Sequence, residues 1–203
     1  MDVITAIKTR RSIAKVTQKV VPKELTEKII EAGGHAPTHK RTDPWRFAVF
    51  EGYGRQQLQE AMFKGVAELN PTLSEDELTF KRDKMAGKAS RSPLIIAVWC
   101  AAGRGKMNPP LVEDIAAVDA CIQNMLLAAH SLGLGAIWRT GDVVNMPAVQ
   151  ALCTVGEDCF NAEKGDVIQG FLYVGYADAD HATPHRNIAP LTSKTQWITS
   201  ATK

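Results

Sequence analysis

The segment from Leu111 to Leu132 is the most regular stretch of the chain and sets the strongest limit on its fold. Its larger apolar residues recur at alternating steps of four and three positions, at Leu111, Ile115, Val118, Ile122, Met125, Ala129 and Leu132. One apolar stripe of this kind is enough to pack a surface helix. Alanine fills much of the remainder, at Ala116, Ala117, Ala120 and Ala128. We therefore expect a long helix that is buried on several sides or shared with a second subunit.

Shorter helices and strands are mixed around this segment. Helices are predicted over residues 2–10, 22–33, 58–69, 74–88 and 146–153, with Asp2 and Ser74 as N-caps. Strands are predicted at RFAVFEG, PLIIAVWC, GLGAIWRTG and VIQGFLYVGY. This mixture, without repeats or a linker, fits an α+β or three-layer domain better than a regular βαβ series, and we expect residues 1–203 to form a single domain. The polar tail, residues 177–203, is expected to be disordered or to lie over another surface.

Composition argues against several classes of protein. Lys and Arg number 24 against 22 Asp and Glu, a formal net charge of +2, so charge gives no reason to expect nucleic acid as a partner. The four cysteines lack a C-x-x-C pair, so no metal site is expected. No stretch reaches the roughly 18 apolar residues of a membrane span, and no secretory signal is recognisable. We expect a soluble, cytoplasmic protein that does not bind membranes.

Arg10, Arg11 and Ser12 end the first predicted helix. Cations at a helix C-terminus oppose the negative end of the helix dipole, so both arginines could serve the helix alone. The alternative is phosphate binding, because arginine presents a rigid fork that matches phosphate oxygens and serine adds a hydroxyl donor. The pattern is short, and these three residues alone leave both interpretations open.

The connection HAPTHKRTDPW, residues 35–45, contains more basic and aromatic side chains than a turn requires. Its prolines and a solvated Lys40-Arg41 pair are compatible with a plain surface turn. Two histidines with no neighbouring carboxylate or third histidine are too few ligands for a metal site. His35 and His39 could instead donate to an anionic or polar ligand, because a loop bounded by prolines holds them at little ordering cost.

The stretch GLGAIWRTG follows the long helix and resembles a dinucleotide-binding turn only superficially. It lacks the third glycine, and it opens a strand where the Rossmann fingerprint opens a helix. Trp138, Arg139 and Thr140 close its apolar run. They could be a core tryptophan followed by surface residues, or an aromatic and a cation presented to a ligand at the end of a strand. The G-x-S-x-G of α/β-hydrolases and the P-loop are absent from the sequence, and no catalytic side chain is predicted.

Taken in order, these stretches resemble those of the FMN-dependent nitroreductase family. Arg10-Arg11-Ser12 is similar to the Arg-Arg-Ser of the family's first helix, and residues 36–45 resemble its Ala-Pro-Ser/Thr stretch ending in Pro-Trp. Residues 138–141 resemble the Trp-Arg-Ser/Thr-Gly motif of a compact bacterial subgroup. The resemblance covers residues 2–176. One departure is that many members have Asn in the loop where this chain has Lys40 or Arg41.

This resemblance implies a mostly antiparallel sheet flanked by helices, with the long central helix at the interface of a homodimer. It implies FMN as cofactor, in two sites shared between the subunits, and NADH or NADPH as electron donor. The implied activity is ping-pong hydride transfer to nitroaromatics, quinones or related small acceptors, with the electron chemistry carried by the flavin. The C-terminal extension, residues 177–203, would pack on the partner. The alternatives are an FMN- or nucleotide-binding protein without turnover, and a structural dimer with no cofactor.

The resemblance also implies roles for individual residues. The flavin phosphate and ring edge would be bound by Arg10, Arg11 and Ser12. The same flavin would be lined by Trp138, Arg139 and Thr140, with Arg139 a second candidate for the phosphate. The other subunit would complete the site with His35 and His39. The end of the long helix would meet the nicotinamide nucleotide, through Ala128, Ala129, His130, Ser131, Leu132 and Gly133.

Overall fold

A four-stranded sheet with helices on both faces lies at the centre of the structure, a computed structural model that describes residues 1–104, 109–180 and 185–199. The helices are α1 (Val3–Thr9), α2 (Lys23–Gly34), α3 (Tyr53–Leu69), α4 (Glu75–Ala89), α5 (Leu111–Ser131) and α6 (Pro147–Gln150). The strands are β1 (Trp45–Glu51), β2 (Leu94–Cys100), β3 (Gly135–Arg139), β4 (Thr154–Val155), β5 (Asp158–Cys159) and β6 (Val167–Gly175). Short 3₁₀ turns occupy His39–Arg41, Asp142–Asn145, Ala162–Lys164 and Leu191–Lys194.

The sheet has the order β1-β2-β6-β3, and every neighbouring pair in it is antiparallel. This confirms the predicted α+β fold with a mostly antiparallel sheet flanked by helices. Strand β2 is buried along its whole length, as its continuous apolar sequence requires. Strand β3 is at the edge, and the chain after α1 runs beside it, with Ser12 paired to Ala136. The Arg-Arg-Ser segment therefore lies next to the strand that carries Trp138 and Arg139.

Two hydrophobic cores lie on opposite faces of the sheet. One core joins α3, α4 and the segment around α6 to one face, with Trp99 and Phe171 among its fully buried side chains. The other core joins α2 and α5 to the opposite face, with Ile29, Ile122 and Met125 fully buried. The alternation of side chains along the strands sends successive residues to different cores. A side chain on β3 therefore points either to the core of α3 and α4 or to the core of α2 and α5.

The long central helix is present as predicted and extends from Leu111 to Ser131. The apolar positions Val118, Ile122, Met125 and Ala129 of its predicted stripe are fully buried against α2 and the sheet. A second stripe remains exposed and includes Val112 (69% exposed), Ala116, Gln123 and Ser131. A face that is half apolar and uncovered fits the expected contact with a second subunit, which stays a prediction.

Two local features differ from the sequence prediction. The helix expected over residues 146–153 is only Pro147–Gln150, because the chain turns tightly at residues 151–153 to enter the β4–β5 hairpin. That hairpin was not predicted, since each of its strands has only two residues. Its turn contains Gly156 at φ +59°, a left-handed conformation that glycine adopts without strain.

The tail is only partly described, because residues 181–184 and 200–203 of the predicted extension lie outside the described residues. Residues 185–199 are exposed along their whole length, and Trp197 is 82% exposed. It stays a prediction that residues 177–203 pack on a partner. It also stays a prediction that residues 1–203 form a single domain. Among the described residues, no helix is long and apolar enough to cross a membrane.

Candidate functional site

The Arg-Arg-Ser segment leaves α1 and follows the open edge of β3. Arg10 caps α1 by donating its backbone N–H to the carbonyl of Ala6. Ser12 forms a parallel bridge with Ala136, and the N–H of Ile13 donates to the carbonyl of Ala136 at 3.0 Å. These backbone bonds fix the segment beside the sheet. The two arginine side chains are thereby held near the C-terminal end of α5.

Four basic groups from three parts of the chain converge at this point. Burial lowers the pKa of Arg10, and the nearby Arg186 and Arg11 lower it further. Burial also lowers the pKa of His130, again with contributions from Arg10 and Arg11. Arg10 has no salt bridge within the part of the chain that the structure describes. Arg10 and Arg11 are half-buried and Arg186 is exposed, and such a convergence of arginines is suited to binding an anion, with phosphate matching the guanidinium forks.

Both interpretations of the arginine pair find support in these contacts. The guanidinium of Arg11 donates from Nη1 to the carbonyls of Lys8 and Arg10, each at 2.9 Å, so Arg11 also serves the end of α1. Arg186 was not predicted from the sequence, since a single arginine in an aperiodic polar tail carries no signal. Its place is determined by the path of the tail, which brings it close enough to Arg10 to depress the pKa of that guanidinium.

His130 bonds to the end of α1 through a defined tautomer. Its Nε2 lies 2.8 Å from the hydroxyl of Thr9, and that hydroxyl donates its own proton to the carbonyl of Thr5 at 2.7 Å. Thr9 must therefore accept, and Nε2 of His130 carries the proton. A neutral imidazole in this tautomer keeps Nδ1 as an acceptor. Protonation of Nδ1 would add a positive charge beside two arginines.

This arrangement makes the stability of the unliganded protein pH-dependent at His130. Because burial and the arginines lower its pKa from the ordinary 6.5, the unfolded chain takes up the proton first as pH falls. His130 therefore lowers the free energy of unfolding when the pH is below that ordinary pKa, and it has no such effect at a pH well above it. We expect wild-type protein to lose more thermal stability than His130→Gln between about pH 7.5 and about pH 5.5. Melting curves at several pH values measure this difference, and parallel pH dependence of the two proteins would contradict it.

Arg139 and Thr140 lie in a second basic pocket, on the other face of the sheet. This cavity of about 230 Å³ is lined by Lys88, Arg91, Arg139, Thr140, Val143, Phe171 and Tyr173. The guanidinium of Arg139 lies 5.9 Å from the centre of the Tyr173 ring. Burial and Arg91 lower the pKa of Lys88, although Asp142 opposes them. The Nε of Arg139 is buried and has no hydrogen-bond partner within the described residues.

The structure does not bring Arg139 together with Arg10. Arg139 faces the core of α3 and α4, while His130 and the α1 end lie on the side of α5. The sequence did not predict Lys88 and Arg91 as members of the Arg139 pocket, because charges on a polar helix and its end suggest a solvated face. Trp138 points to the α5 side, and its Nε1 donates to the carbonyl of Gln169 at 2.8 Å.

A glycine in contact with the Trp138 indole allows this packing. Gly170 has φ +143°, and a Cβ there would collide with the indole of Trp138 and the carbonyl of Arg139. Any other residue would push the Trp138 indole or the β3 backbone away from β6. The close approach fixes the end of β3, and with it Arg139 and Thr140.

Of the two predicted histidines, His39 lies at the opposite end of α5 from the Arg10 cluster. His35 is exposed at the end of α2. His39 Nε2 lies 3.5 Å from Oε2 of Glu113, in the first turn of α5. At about 1.5 Å of rise per residue, Glu113 and His130 are separated by roughly 25 Å along the helix. Within one chain these histidines do not join the Arg10 cluster.

The segment predicted to meet the nicotinamide nucleotide is the C-terminal turn of α5 and its cap. Ala129 is fully buried, whereas Ser131 and Gly133 are exposed. Gly133 has φ +78° and donates its N–H to the carbonyl of His130 at 3.1 Å. The exposed part of this turn therefore adjoins the Arg10 cluster through His130.

Other features of the described residues have no part in this arrangement. A cavity of about 880 Å³ between α3 and α4 is lined by none of the residues that the sequence analysis assigned to a site. No group of three or more His, Cys, Asp or Glu in the described part of the chain is placed to hold a metal ion. Burial raises the pKa of Cys100, Cys121 and Cys153 to about 12, so none of these thiols is a ready nucleophile.

Comparison with known proteins gives consistent matches over most of the chain. The family model described as Nitroreductase family matches residues 7–176. YdjA of Escherichia coli strain K12, provisionally named an NAD(P)H nitroreductase, is 30% identical over 175 residues, covering 86% of this chain and 88% of YdjA. A nitroreductase-like family protein from Bacillus cereus superimposes with TM-score 0.78 at 27% identity, covering 98% of this chain and 96% of its own. A Desulfovibrio desulfuricans protein, provisionally named a nitroreductase and crystallised with FMN, superimposes with TM-score 0.67 at 25% identity, covering 98% of both chains.

Proposed function

The chain belongs to the nitroreductase family, and from this premise we propose that it is an FMN-dependent NAD(P)H oxidoreductase acting as a homodimer. Its acceptors are small molecules such as nitroaromatics or quinones, reduced by a ping-pong mechanism. The names of its relatives and the FMN bound in the Desulfovibrio desulfuricans protein support this activity. Its Trp-Arg-Thr-Gly stretch supports membership of the compact bacterial subgroup, and we expect the protein in the cytoplasm.

The observation that carries the proposal is the anion site formed by Arg10, Arg11, His130 and Arg186. These residues fit the phosphate of FMN, because Arg10, Arg11 and His130 are half-buried and no salt bridge among the described residues pairs Arg10 with a carboxylate. Burial, and then repulsion by neighbouring arginines, lowers the pKa of Arg10 and His130, and a dianionic phosphate would offset both effects. Ser12, exposed beside Ala136, would add its hydroxyl at the same edge of the sheet.

The pocket of Arg139 and Thr140 would receive the ring of the same flavin. From Ala136, beside Ser12, to Thr140 the strand advances roughly 13 Å at about 3.3 Å per residue, and a flavin that reaches both places would pass around the open edge of β3. The bound group would supply hydride and electron transfer, and it gains negative charge when reduced. Lys88, Arg91 and Arg139 would hold that charge, and the unpartnered Nε of Arg139 is a donor available to the ligand.

A second subunit would bring His35 and His39 to this site. Pairing of the exposed α5 stripe with its two-fold copy in antiparallel fashion would place the start of one helix near the end of the other. That arrangement removes the roughly 25 Å separation that exists within one chain. Ser131 and Gly133 at the end of α5 would then lie at the open side of the site, where we expect the nicotinamide nucleotide.

One absorbance experiment separates this proposal from its rivals. The purified protein should show the yellow absorbance of bound flavin, and NADPH or NADH added without oxygen should bleach it rapidly. An FMN carrier without turnover would stay yellow after the addition. A colourless protein that takes up no added FMN would instead support the structural dimer.

A further inference from the structure

The loop between α2 and β1 contains three non-glycine residues in the left-handed backbone region. These are Lys40 at φ +51°, Arg41 at φ +55° and Asp43 at φ +41°. Residues with a Cβ rarely adopt this conformation, and it persists only where the surroundings enforce it. Three such residues within four positions show that this loop is held in place rather than relaxed.

A short chain of hydroxyl bonds ties the loop to α5. The hydroxyl of Thr42 donates to Oδ1 of Asp114 at 2.8 Å, and it lies 2.9 Å from the hydroxyl of Thr38. Since the proton of Thr42 is used on Asp114, Thr38 is the donor in the second bond. The backbone N–H of Asp43 donates to Oγ1 of Thr38 at 3.2 Å. The chain therefore spans the left-handed residues and ends on a carboxylate.

Asp114 is unusually deep for an acidic residue on a helix that faces solvent on one side. It is only 2% exposed and lies in the first turn of α5, where the helix dipole favours a negative charge. Burying a carboxylate is costly unless it accepts hydrogen bonds. Thr42 supplies such a bond from the loop, and a bond to a charged acceptor is stronger than one between neutral groups.

The same turn of α5 also contacts the histidine of the loop. Glu113 lies 3.5 Å from His39, and its neighbour Asp114 holds Thr42. His39, Lys40 and Arg41 are all exposed, and neither Lys40 nor Arg41 has a salt bridge among the residues described. The loop is thus fixed to α5 through Thr42, while the side chains of Lys40 and Arg41 are exposed.

We propose that Thr42 and Asp114 are positioning residues, which hold the strained loop so that His39 reaches the flavin site of the partner subunit. This inference rests on the proposed function, because it assigns the loop to a site that needs a second chain. The carboxylate acts through Thr42 and the loop backbone, and it does not contact the flavin itself.

Thr42→Val tests the proposal, because valine keeps the shape of threonine and removes its hydroxyl. We expect Thr42→Val to fold and dimerise but to bind FMN about tenfold more weakly, roughly a 1.4 kcal/mol loss. Hydrogen exchange of the amides in residues 38–43 should become faster in the same variant. Thr42→Ser, which retains the hydroxyl, should restore both the affinity and the protection of the loop.

A matched control is Thr26→Val, which removes the hydroxyl of a buried threonine in α2 far from the loop. It should leave FMN affinity unchanged. Thr42→Val with wild-type FMN affinity and wild-type loop protection would overturn the positioning role while leaving the proposed function intact. Wild-type protein that binds no FMN would instead overturn the proposed function, and this inference with it.

Discussion

Replacing Arg10 with alanine is expected to weaken FMN binding by roughly ten- to a hundredfold, since a charge-assisted bond to the phosphate contributes about 1.5–3 kcal/mol. Arg10 is half-buried, has Arg186 and Arg11 as neighbours, and forms no salt bridge within the described parts of the chain. Without FMN these cations repel one another, so the substitution should leave the unliganded fold intact. The variant should therefore purify with little yellow cofactor. Fluorescence titration of the unliganded protein with FMN measures the loss.

Lys28→Ala is the matched control for Arg10→Ala, since Lys28 is an exposed cation on α2 and its loss changes the net charge by the same amount. It should retain wild-type affinity for FMN. Arg11→Ala is predicted to behave differently from both, because Arg11 also bonds the carbonyls at the end of α1 and its loss should lower thermal stability. Arg10→Ala protein fully loaded with FMN, at wild-type affinity, would remove Arg10 from the phosphate site.

Asp166→Ala is expected to lower the free energy of unfolding by about 3–5 kcal/mol, the range for breaking a buried ion pair. The carboxylate of Asp166 is fully buried and accepts two bonds from Arg104, at 2.6 and 2.7 Å. It also accepts the backbone N–H groups of Ala102 and Asn161, at 3.0 and 2.8 Å. Alanine would leave these donors without their acceptor. Urea unfolding of wild type and variant measures the difference.

The remaining partner of Arg104 would not replace Asp166. Arg104 also donates to Asp158 at 3.1 Å, but Asp158 is shared with Arg46 and is more exposed than Asp166. Asp83→Ala, the loss of an exposed carboxylate on α4, should change stability by less than about 0.5 kcal/mol. An unfolding free energy for Asp166→Ala within that same margin would mean that the buried pair contributes nothing.

The sequence predicted the parts of the fold that depend on long, regular patterns. Apolar side chains spaced by three and four residues in Leu111–Leu132 lie on one side of the chain only if it is helical. The continuous apolar run of β2 is buried only if both faces of the strand are covered. The β4–β5 hairpin could not be predicted in this way, because two-residue strands are too short for a period. Its position depends instead on contacts such as the bond from Arg46 to Asp158 at 2.8 Å.

The site was predictable only where its residues are close in sequence. Arg10-Arg11-Ser12 and Trp138-Arg139-Thr140 are recognisable as short motifs. The resemblance of the chain to the nitroreductase family then suggests that they bind a ligand. Arg186, Lys88 and Arg91 are single cations in polar segments, and only the tertiary path of the chain brings them to the motifs. The division of Arg10 and Arg139 between two faces of the sheet follows from the alternation of β3, which the motif does not show.

We expect each flavin site to combine Arg10 of one subunit with His35 and His39 of the other. This arrangement is tested most directly with heterodimers purified through two different tags, one protomer carrying Arg10→Ala and the other His35→Ala and His39→Ala. Each parent homodimer should be deficient in bound FMN. The heterodimer should regain about half of the wild-type FMN content and turnover, because a two-fold interface gives it one fully intact site. A heterodimer as deficient as its parents would show that the arginine and the histidines serve a site within one chain, and would contradict the account.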